Sequence, residues 1–195
     1  MVYFYQAEAE DGRFYAIIVG KDKFENDLLI KFGYKELNYV WFHADKYSSG
    51  HVYLKLNSDE KELRDVPREV ITDCLQLCKS KSIHGNKLAQ CTILATPWTN
   101  LRKNGSMKPG EVSFKSVRRI QKLECHGRDT KLLNRLDKTR VEILENVESL
   151  LHEAKKSKDP EFFTNYIAAH RELLLAQEQD RKVAKKIKKK VALEE

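Results

Sequence analysis

The chain has 195 residues and a formal net charge of +7, with 36 Lys and Arg against 29 Asp and Glu. A composition of 41% hydrophobic and 33% charged residues excludes a disordered polyelectrolyte, and no apolar run approaches the roughly 20 residues of a transmembrane helix. Four cysteines, and no secretory pattern at residues 1–5, favour a reducing compartment, so we expect a cytoplasmic protein with the nucleus as a second location.

The first quarter of the chain alternates between strand and helix patterns. Residues 2–6 and 13–19 predict a β-hairpin around the turn at residues 10–12. A helix follows, with helical spacing of the apolar residues Phe24, Leu28, Leu29 and Phe32. Gly33 comes where a helix commonly ends in a glycine. Residues 39–44 and 51–56 predict two further strands.

The pattern continues as a mixed fold up to about residue 126. Pro67 predicts the start of a helix whose apolar face includes Cys74 and Cys78. Residues 91–96 read as a strand, and residues 111–123 alternate as a hairpin partner would. We therefore predict a compact α+β domain over residues 1–126, in which helices pack on a mostly antiparallel sheet.

From Asp129 onward the periodicity is helical. A first heptad seam comprises Leu133, Leu136, Arg140, Ile143, Val147, Leu150 and Ala154. Residues 155–158 interrupt it, and Asp159-Pro160-Glu161 predicts the start of a second helix. The second seam comprises Phe162, Tyr166, Ala169, Leu173, Ala176, Val183 and Ile187. Residues 127–195 are therefore predicted to form a helical hairpin or a coiled-coil extension, whose seam pairs within the chain or with a partner.

Positive charge is concentrated in two segments. Residues 181–190 hold seven basic residues and no acid, and residues 102–122 hold seven basic residues against one acid. The remainder has 22 basic and 28 acidic residues, so it is mildly acidic. Concentrated charge of one sign attracts polyanions, of which nucleic acid is the commonest inside cells. The alternative is that each segment is only a solvated surface.

The sequence around Gly20 has features of an anion site. Gly20 precedes a predicted helix start, where free N–H groups favour anions, and Lys21 and Lys23 flank that start. The alternative is an ordinary helix capped by Asp22, with solvated lysines. A Gly-Lys pair without a complete phosphate-binding loop leaves both readings open.

Two tryptophans are candidates for stacking on bases. In a strand, Phe42 points to one face while Trp41 and His43 point to the other. If Phe42 fills the core, Trp41 and His43 form a stacking surface; the reverse assignment buries Trp41. Trp98 follows a strand and lies shortly before Arg102 and Lys103, a composition typical of sequence-independent nucleic-acid binding. Trp98 could equally close the edge of the core.

His43, Asp45 and His51 could alternatively form a metal site or an acid/base pair, as in a metal-dependent nuclease or RNA-processing enzyme. Their spacing matches no zinc signature. Cys74 and Cys78 lack the spacing of a zinc pair and fit core packing better. No metal or other cofactor is expected.

Three blocks together resemble a known family. Residues 20–27, residues 41–51 with Trp41-Phe42-His43 and Ser48-Ser49, and Thr96-Pro97-Trp98 occur in the order found in the NFACT-R domain. The length is similar to that of its single-domain members, the coiled-coil domain-containing protein 25 group, and the resemblance covers about residues 1–140. It implies a compact α+β domain that binds RNA. In larger relatives the domain belongs to proteins that act with tRNA and the large ribosomal subunit in ribosome-associated quality control.

We therefore predict a non-enzymatic module that binds RNA such as tRNA or rRNA, with DNA as a second ligand. The expected contacts are made by Lys21, Lys23, Asn26, Trp41, His43, His51, Trp98, Arg102, Lys103, Arg118, Arg119, Lys185, Lys186, Lys188 and Lys189. The ribosome or a coiled-coil protein is a further expected partner, and a DNA-binding or coiled-coil adaptor is the alternative role. We expect a monomer or weak homodimer without stable membrane insertion.

Overall fold

The computed structural model describes residues 1–194, which form nine β-strands and five α-helices. The strands are β1 (Val2–Glu8), β2 (Phe14–Gly20), β3 (Tyr39–Ala44), β4 (Val52–Lys55), β5 (Cys91–Pro97), β6 (Leu101–Arg102), β7 (Ser113–Phe114), β8 (Gln121–Cys125) and β9 (Val141–Ile143). The helices are α1 (Lys23–Phe32), α2 (Arg68–Ser80), α3 (Thr130–Thr139), α4 (Val147–Ser157) and α5 (Phe162–Glu194).

Seven strands form one antiparallel sheet, in the order β8-β5-β3-β4-β2-β1-β9, while β6 and β7 form a separate ribbon. Helices cover both faces of the sheet. α2 and α3 pack on one face, and α1, α4 and the first part of α5 pack on the other. Because strand side chains alternate between faces, the sheet supports two separate cores. The predicted α+β class with a mostly antiparallel sheet is confirmed.

The core beneath α2 contains the helix cysteines. Cys74 and Cys78 lie on its apolar face and are fully buried against the sheet. Burial raises the pKa of the Cys78 thiol to about 12, so the thiol stays protonated at neutral pH. The predicted role of these cysteines as small apolar core residues is confirmed.

The opposite core is rich in aromatic rings. Trp98 lies 4.5 Å from Tyr53 and 5.5 Å from Tyr39, measured between ring centroids. Gly33 ends α1 with a φ of −60°, so no left-handed turn requires a glycine here. A Cβ atom at Gly33 would lie only 2.4 Å from the Trp98 indole. Gly33 therefore allows the Trp98 indole to pack closely against the end of α1.

The predicted continuous helix through the first seam, from Leu133 to Ala154, is wrong. α3 ends at Thr139, and β9 then pairs with β1, with Val141 opposite Phe4 and Ile143 opposite Val2. β9 thus forms one edge of the main sheet. A three-residue strand is too short to display the period-two alternation that would distinguish it from a helical pattern. The domain boundary at residue 126 stays a prediction.

α5 is a single helix of 33 residues that packs on the sheet through its first half. Its buried residues include Phe163, Leu174 and Glu178, so the predicted seam through Ala169, Leu173 and Ala176 is wrong. The packed face is rotated from that seam because β9 and α4, rather than a second long helix, provide its partner surface.

Ion pairs fasten α5 to β9. Arg140, directly before β9, donates to Glu178 of α5 at 2.8 Å and pairs with Glu142 at 3.1 Å. Arg181 of α5 reaches Glu142 at 3.3 Å, and Lys182 also pairs with Glu178. A network of several partly buried charges contributes more to stability than isolated surface pairs do.

Within residues 1–194, no helix has the length and apolarity to cross a bilayer.

The register of α5 can be tested with two neighbouring leucines. Leu174 is 6% exposed, whereas Leu173 is 56% exposed. We expect Leu174→Ala to lower the free energy of unfolding by about 2–3 kcal/mol, since it leaves a cavity under the helix. Leu173→Ala should change it by less than about 0.5 kcal/mol. Urea denaturation measures both, and the opposite ranking would mean that α5 packs through the heptad seam.

Candidate nucleic-acid interface

Three distant parts of the sequence enclose one cleft on the face of the sheet that carries α1. It has a volume of about 970 Å³ and is called here the central cleft. Its walls are residues 20–26 at the start of α1, residues 41–51 at the end of β3, and residues 107–114. The first two are blocks that the sequence predicted to act together, and the third is part of the first basic segment.

The floor of the central cleft is held by hydrogen bonds through His51. The Trp41 indole Nε1–H donates to His51 Nδ1 at 3.0 Å. This leaves the proton on His51 Nε2, which donates to the carbonyl oxygen of Gly110 at 3.1 Å. Both ring nitrogens are therefore used. His51 links the strand β3 to the loop between β6 and β7.

The same loop is fastened to α1. Asp27 Oδ1 accepts from the Gly110 amide at 2.8 Å and from Lys103 Nζ at 2.8 Å. Lys103 also donates to the carbonyl oxygens of Lys108 at 2.7 Å and Glu111 at 2.9 Å. Gly110 has a φ of +84°, a conformation that glycine adopts without strain. Lys103 therefore organises this loop and has no donor left for a phosphate, so its predicted contact is wrong.

His43 is the partly exposed member of the cleft floor. Its ring is nearly parallel to Trp41, with an interplanar angle of 3°, and its centroid is 4.8 Å from that of His51. His43 Nδ1 lies 2.7 Å from the Ala44 carbonyl oxygen, which assigns the proton to Nδ1. Burial lowers the pKa of His43, and lowers that of His51 to about 3. Both rings are therefore neutral at physiological pH.

The start of α1 is an ordinary capped helix, which the sequence analysis gave as the alternative to an anion site. Asp22 caps the helix by accepting from the amides of Phe24 at 2.8 Å and Glu25 at 3.4 Å. A phosphate at the helix terminus would compete with this carboxylate, so the predicted anion site on free helix amides is wrong. Lys21 and Lys23 are exposed beside it, which leaves their side chains as the available anion-binding groups.

Four lysines surround the central cleft. Lys21, Lys23, Lys46 and Lys81 are exposed, and none pairs with an acidic side chain within residues 1–194. The sequence analysis missed Lys46 and Lys81. Lys46 precedes the Ser48-Ser49 motif, so motif proximity could have identified it. Lys81 follows α2 and reaches the cleft only through the fold.

The acidic residues around the central cleft are engaged with protein partners. Asp22 caps α1, Asp45 pairs with Lys122 at 3.2 Å, and Glu111 accepts from the Lys108 amide at 3.1 Å. Asp45 is offset by its basic partner, whereas Asp22 and Glu111 keep their charge, so four lysines stand against two such acids around the cleft. This gives the mouth of the cleft positive electrostatic character.

The predicted base-stacking roles of both tryptophans are wrong. Trp41 is 1% exposed and Trp98 is 7% exposed, so a nucleotide base cannot lie against either ring. Because helices cover both faces of the sheet, Phe42 and Trp41 are buried in different cores. His51, at 2% exposure, is likewise structural. Asn26 is buried at the cleft wall, and its Oδ1 has no hydrogen-bond partner in the described chain.

Other aromatic rings are available near the lysines. Tyr47 and Phe114 line the central cleft and are half-buried. Phe24 is 59% exposed, with the Lys23 ammonium 5.2 Å from its ring centroid. The sequence pattern had assigned Phe24 to the packed face of α1. Its exposure comes from its place in the first turn, before the helix reaches the sheet.

The remaining predicted basic contacts do not converge on the central cleft. Arg118 and Arg119 are exposed and line a separate cleft of about 440 Å³ at the opposite end of β3. Arg102 is exposed on β6. The terminal lysines Lys185, Lys186, Lys188 and Lys189 are exposed on α5, beyond its ion pairs with β9. The two basic segments therefore do not form a single patch in the central cleft.

His43, Asp45 and His51 are not arranged as a metal site within residues 1–194, and the RNA-processing alternative stays a prediction. His51 uses both ring nitrogens within the protein, and Asp45 is paired with Lys122. Across residues 1–194, no three or more His, Cys, Asp or Glu side chains are arranged to hold a metal ion.

Comparison with known proteins gives the family. Residues 1–116 match the model of the NFACT protein RNA binding domain, which is more than half of the chain. The chain belongs to the NFACT RNA-binding domain family. The resemblance predicted from the three sequence blocks is thus confirmed, and two of those blocks, residues 20–27 and 41–51, contribute to the central cleft within the matched region.

Curated relatives extend the similarity of this NFACT-R chain beyond residue 116. It is 65% identical to Protein JLP2 of Saccharomyces cerevisiae over 191 residues, which cover 97% of this chain and 92% of that protein. It is 39% identical to Coiled-coil domain-containing protein 25 of Bos taurus over 149 residues, covering 76% and 70% of the respective chains.

A solved structure shares the NFACT-R fold. It is the C-terminal part of the fibronectin/fibrinogen-binding protein from Streptococcus suis, with a TM-score of 0.53 and 24% identity. The similarity covers 68% of this chain and about half (49%) of that one. At this identity the likeness concerns the fold alone.

The buried neutral His51 predicts a loss of stability in acid. Its pKa is about 3 in the fold against an ordinary value of 6.5, so between these values the unfolded chain binds more protons. The free energy of unfolding should therefore fall as pH drops below 6.5, by up to about 1.4 kcal/mol per pH unit from this group. Urea denaturation across this range measures the slope.

Substitution identifies the group responsible for the slope. His51→Gln removes its titration and should flatten the slope, although His43, whose pKa is also lowered, contributes in the same direction. His126→Gln alters an exposed histidine and is the matched control. An unchanged slope in His51→Gln would contradict the assignment.

Proposed function

We propose that this NFACT-R protein binds RNA, such as tRNA or rRNA, in the central cleft. The observation that carries the proposal is the set of exposed, unpaired lysines at its mouth, Lys21, Lys23, Lys46 and Lys81, which outnumber the acids of the cleft. Ammonium groups in this arrangement bind backbone phosphates without reading sequence. The family description, which names an RNA-binding domain, supports RNA as the ligand.

Two aromatic rings near the lysines complete the proposed contact surface. Phe24 and Tyr47 lie next to the lysines and offer faces on which unpaired bases could stack. They replace the tryptophans of the sequence prediction. Backbone contacts of this kind also admit DNA, which we propose as a weaker ligand.

The basic end of α5 is proposed as a second, non-specific contact. Lys185, Lys186, Lys188 and Lys189 lie on a helical segment that is exposed on all sides. Such a segment adds electrostatic attraction without a defined binding geometry. We propose a cytoplasmic protein, with action at the ribosome in quality control, on the basis of the family resemblance and four buried, reduced cysteines.

The central cleft is tested by the double variant Lys21→Ala, Lys23→Ala. We expect weaker binding of tRNA, and a slope of log affinity against log salt that is shallower by about 1.4–2, since two phosphate contacts are lost. Fluorescence anisotropy in a salt series measures both quantities.

The control for this test is Lys131→Ala, Lys138→Ala. It removes the same charge from exposed positions on α3, across the sheet from the central cleft. If both double variants weaken binding equally, general charge rather than the cleft governs the affinity, and the proposed site is wrong.

The role of α5 is tested by replacing Lys185, Lys186, Lys188 and Lys189 with alanine. We expect lower affinity for RNA and DNA alike, with a shallower salt slope and the same ratio between the two ligands. Loss of all measurable binding would make the helix, rather than the central cleft, the main site.

A further inference from the structure

His43 presents an unused hydrogen-bond acceptor to the central cleft. Its Nδ1–H is committed to the Ala44 carbonyl oxygen at 2.7 Å, so its other nitrogen, Nε2, carries a lone pair. Nε2 has no partner in residues 1–194, and the ring lines the cleft. In the adjoining rings of the floor, Trp41 and His51, all three ring nitrogens already have hydrogen-bond partners.

The orientation of this ring is fixed before any ligand arrives. Trp41 lies parallel to it, and His51 contacts it edge-on. Burial keeps the imidazole neutral, so Nε2 remains an acceptor at physiological pH. A rigid acceptor discriminates among ligands, because a bound ligand that lacks a donor displaces its water and leaves it unpaired.

The chemistry of nucleic acids restricts what such an acceptor can bind. Phosphate and ring oxygens of the backbone are acceptors themselves, so they gain nothing from Nε2. Base donors differ from one nucleotide to the next. The 2′-hydroxyl of ribose is the one donor that recurs at every nucleotide of RNA, and it is missing from DNA.

We propose that His43 Nε2 accepts a hydrogen bond from a ribose 2′-hydroxyl, and that this contact gives the central cleft its preference for RNA over DNA. The inference rests on the proposed function, since the lysines at the mouth of the cleft hold the phosphates on either side of that ribose. His43 is thus a specificity-determining residue. The lysines contribute affinity for both nucleic acids.

The test compares three unstructured oligonucleotides of one sequence: oligouridine, its 2′-deoxy form and its 2′-O-methyl form. The methyl ether keeps an RNA-like sugar but has no donor, which separates loss of the hydrogen bond from a change of sugar conformation. We expect the full chain to bind oligouridine about fivefold more tightly than either analogue, as one net hydrogen bond allows. Equal affinity for all three would overturn the inference without any variant.

Substitutions then locate the effect. His43→Phe keeps an aromatic ring against Trp41 without an acceptor, and should lower the affinity for oligouridine to that of the deoxy form while leaving the latter unchanged. His43→Gln restores an acceptor oxygen and should recover part of the preference. His126→Phe, at an exposed position, is the control. Equal weakening of RNA and DNA binding by His43→Phe would assign His43 a structural role and overturn the inference.

The inference and the proposed function fail in different ways. If Lys21→Ala, Lys23→Ala weakens both ligands but His43→Phe leaves the preference intact, only the 2′-hydroxyl contact is wrong. If the lysine variant binds like the parent chain, the central cleft is not the site. Thermal unfolding of each variant checks that it is folded.

Discussion

The central cleft depends on the chain of hydrogen bonds that runs from Trp41 through His51 and Gly110 to Asp27 and Lys103. These groups come from β3, the strand-connecting loop after it, the β6–β7 loop and α1. Trp41 and His51 are buried, so breaking their hydrogen bond would leave a polar group without water or a partner. The chain therefore fixes the relative positions of segments that are far apart in the sequence.

This arrangement separates residues that build the cleft from residues that can meet a ligand. Trp41, His51 and Lys103 have the chemical types expected of nucleic-acid contacts, but their polar groups are consumed within the protein. Lys21 and Lys23 remain exposed, and the neutral His43 keeps one nitrogen unused. Residue type alone could not separate these groups, since the distinction depends on which donors and acceptors are already satisfied.

Local patterns predicted most of the fold. The bounds of β3 followed from its β-branched and aromatic residues, and α2 followed from Pro67 and its apolar spacing. The errors arose where distant partners decide the outcome. Trp98 is buried because Gly33 admits its ring, and α5 is rotated because β9 and α4 supply its partner surface. Two of the three blocks did predict walls of the central cleft, whereas Lys81 reaches it only through the packing of α2.

The distribution of charge shows why the net value of +7 is a poor measure of attraction to polyanions. Arg140, Arg181 and Lys182 belong by sequence to basic stretches or the helical seam, yet they are used to fasten α5 to β9. Near the central cleft, Asp27 and Asp45 are likewise paired, with Lys103 and Lys122. Within each ion pair the two charges largely cancel, so neither contributes much to the field outside the protein. The unpaired lysines at the cleft mouth and the exposed end of α5 then set the field that an approaching nucleic acid meets.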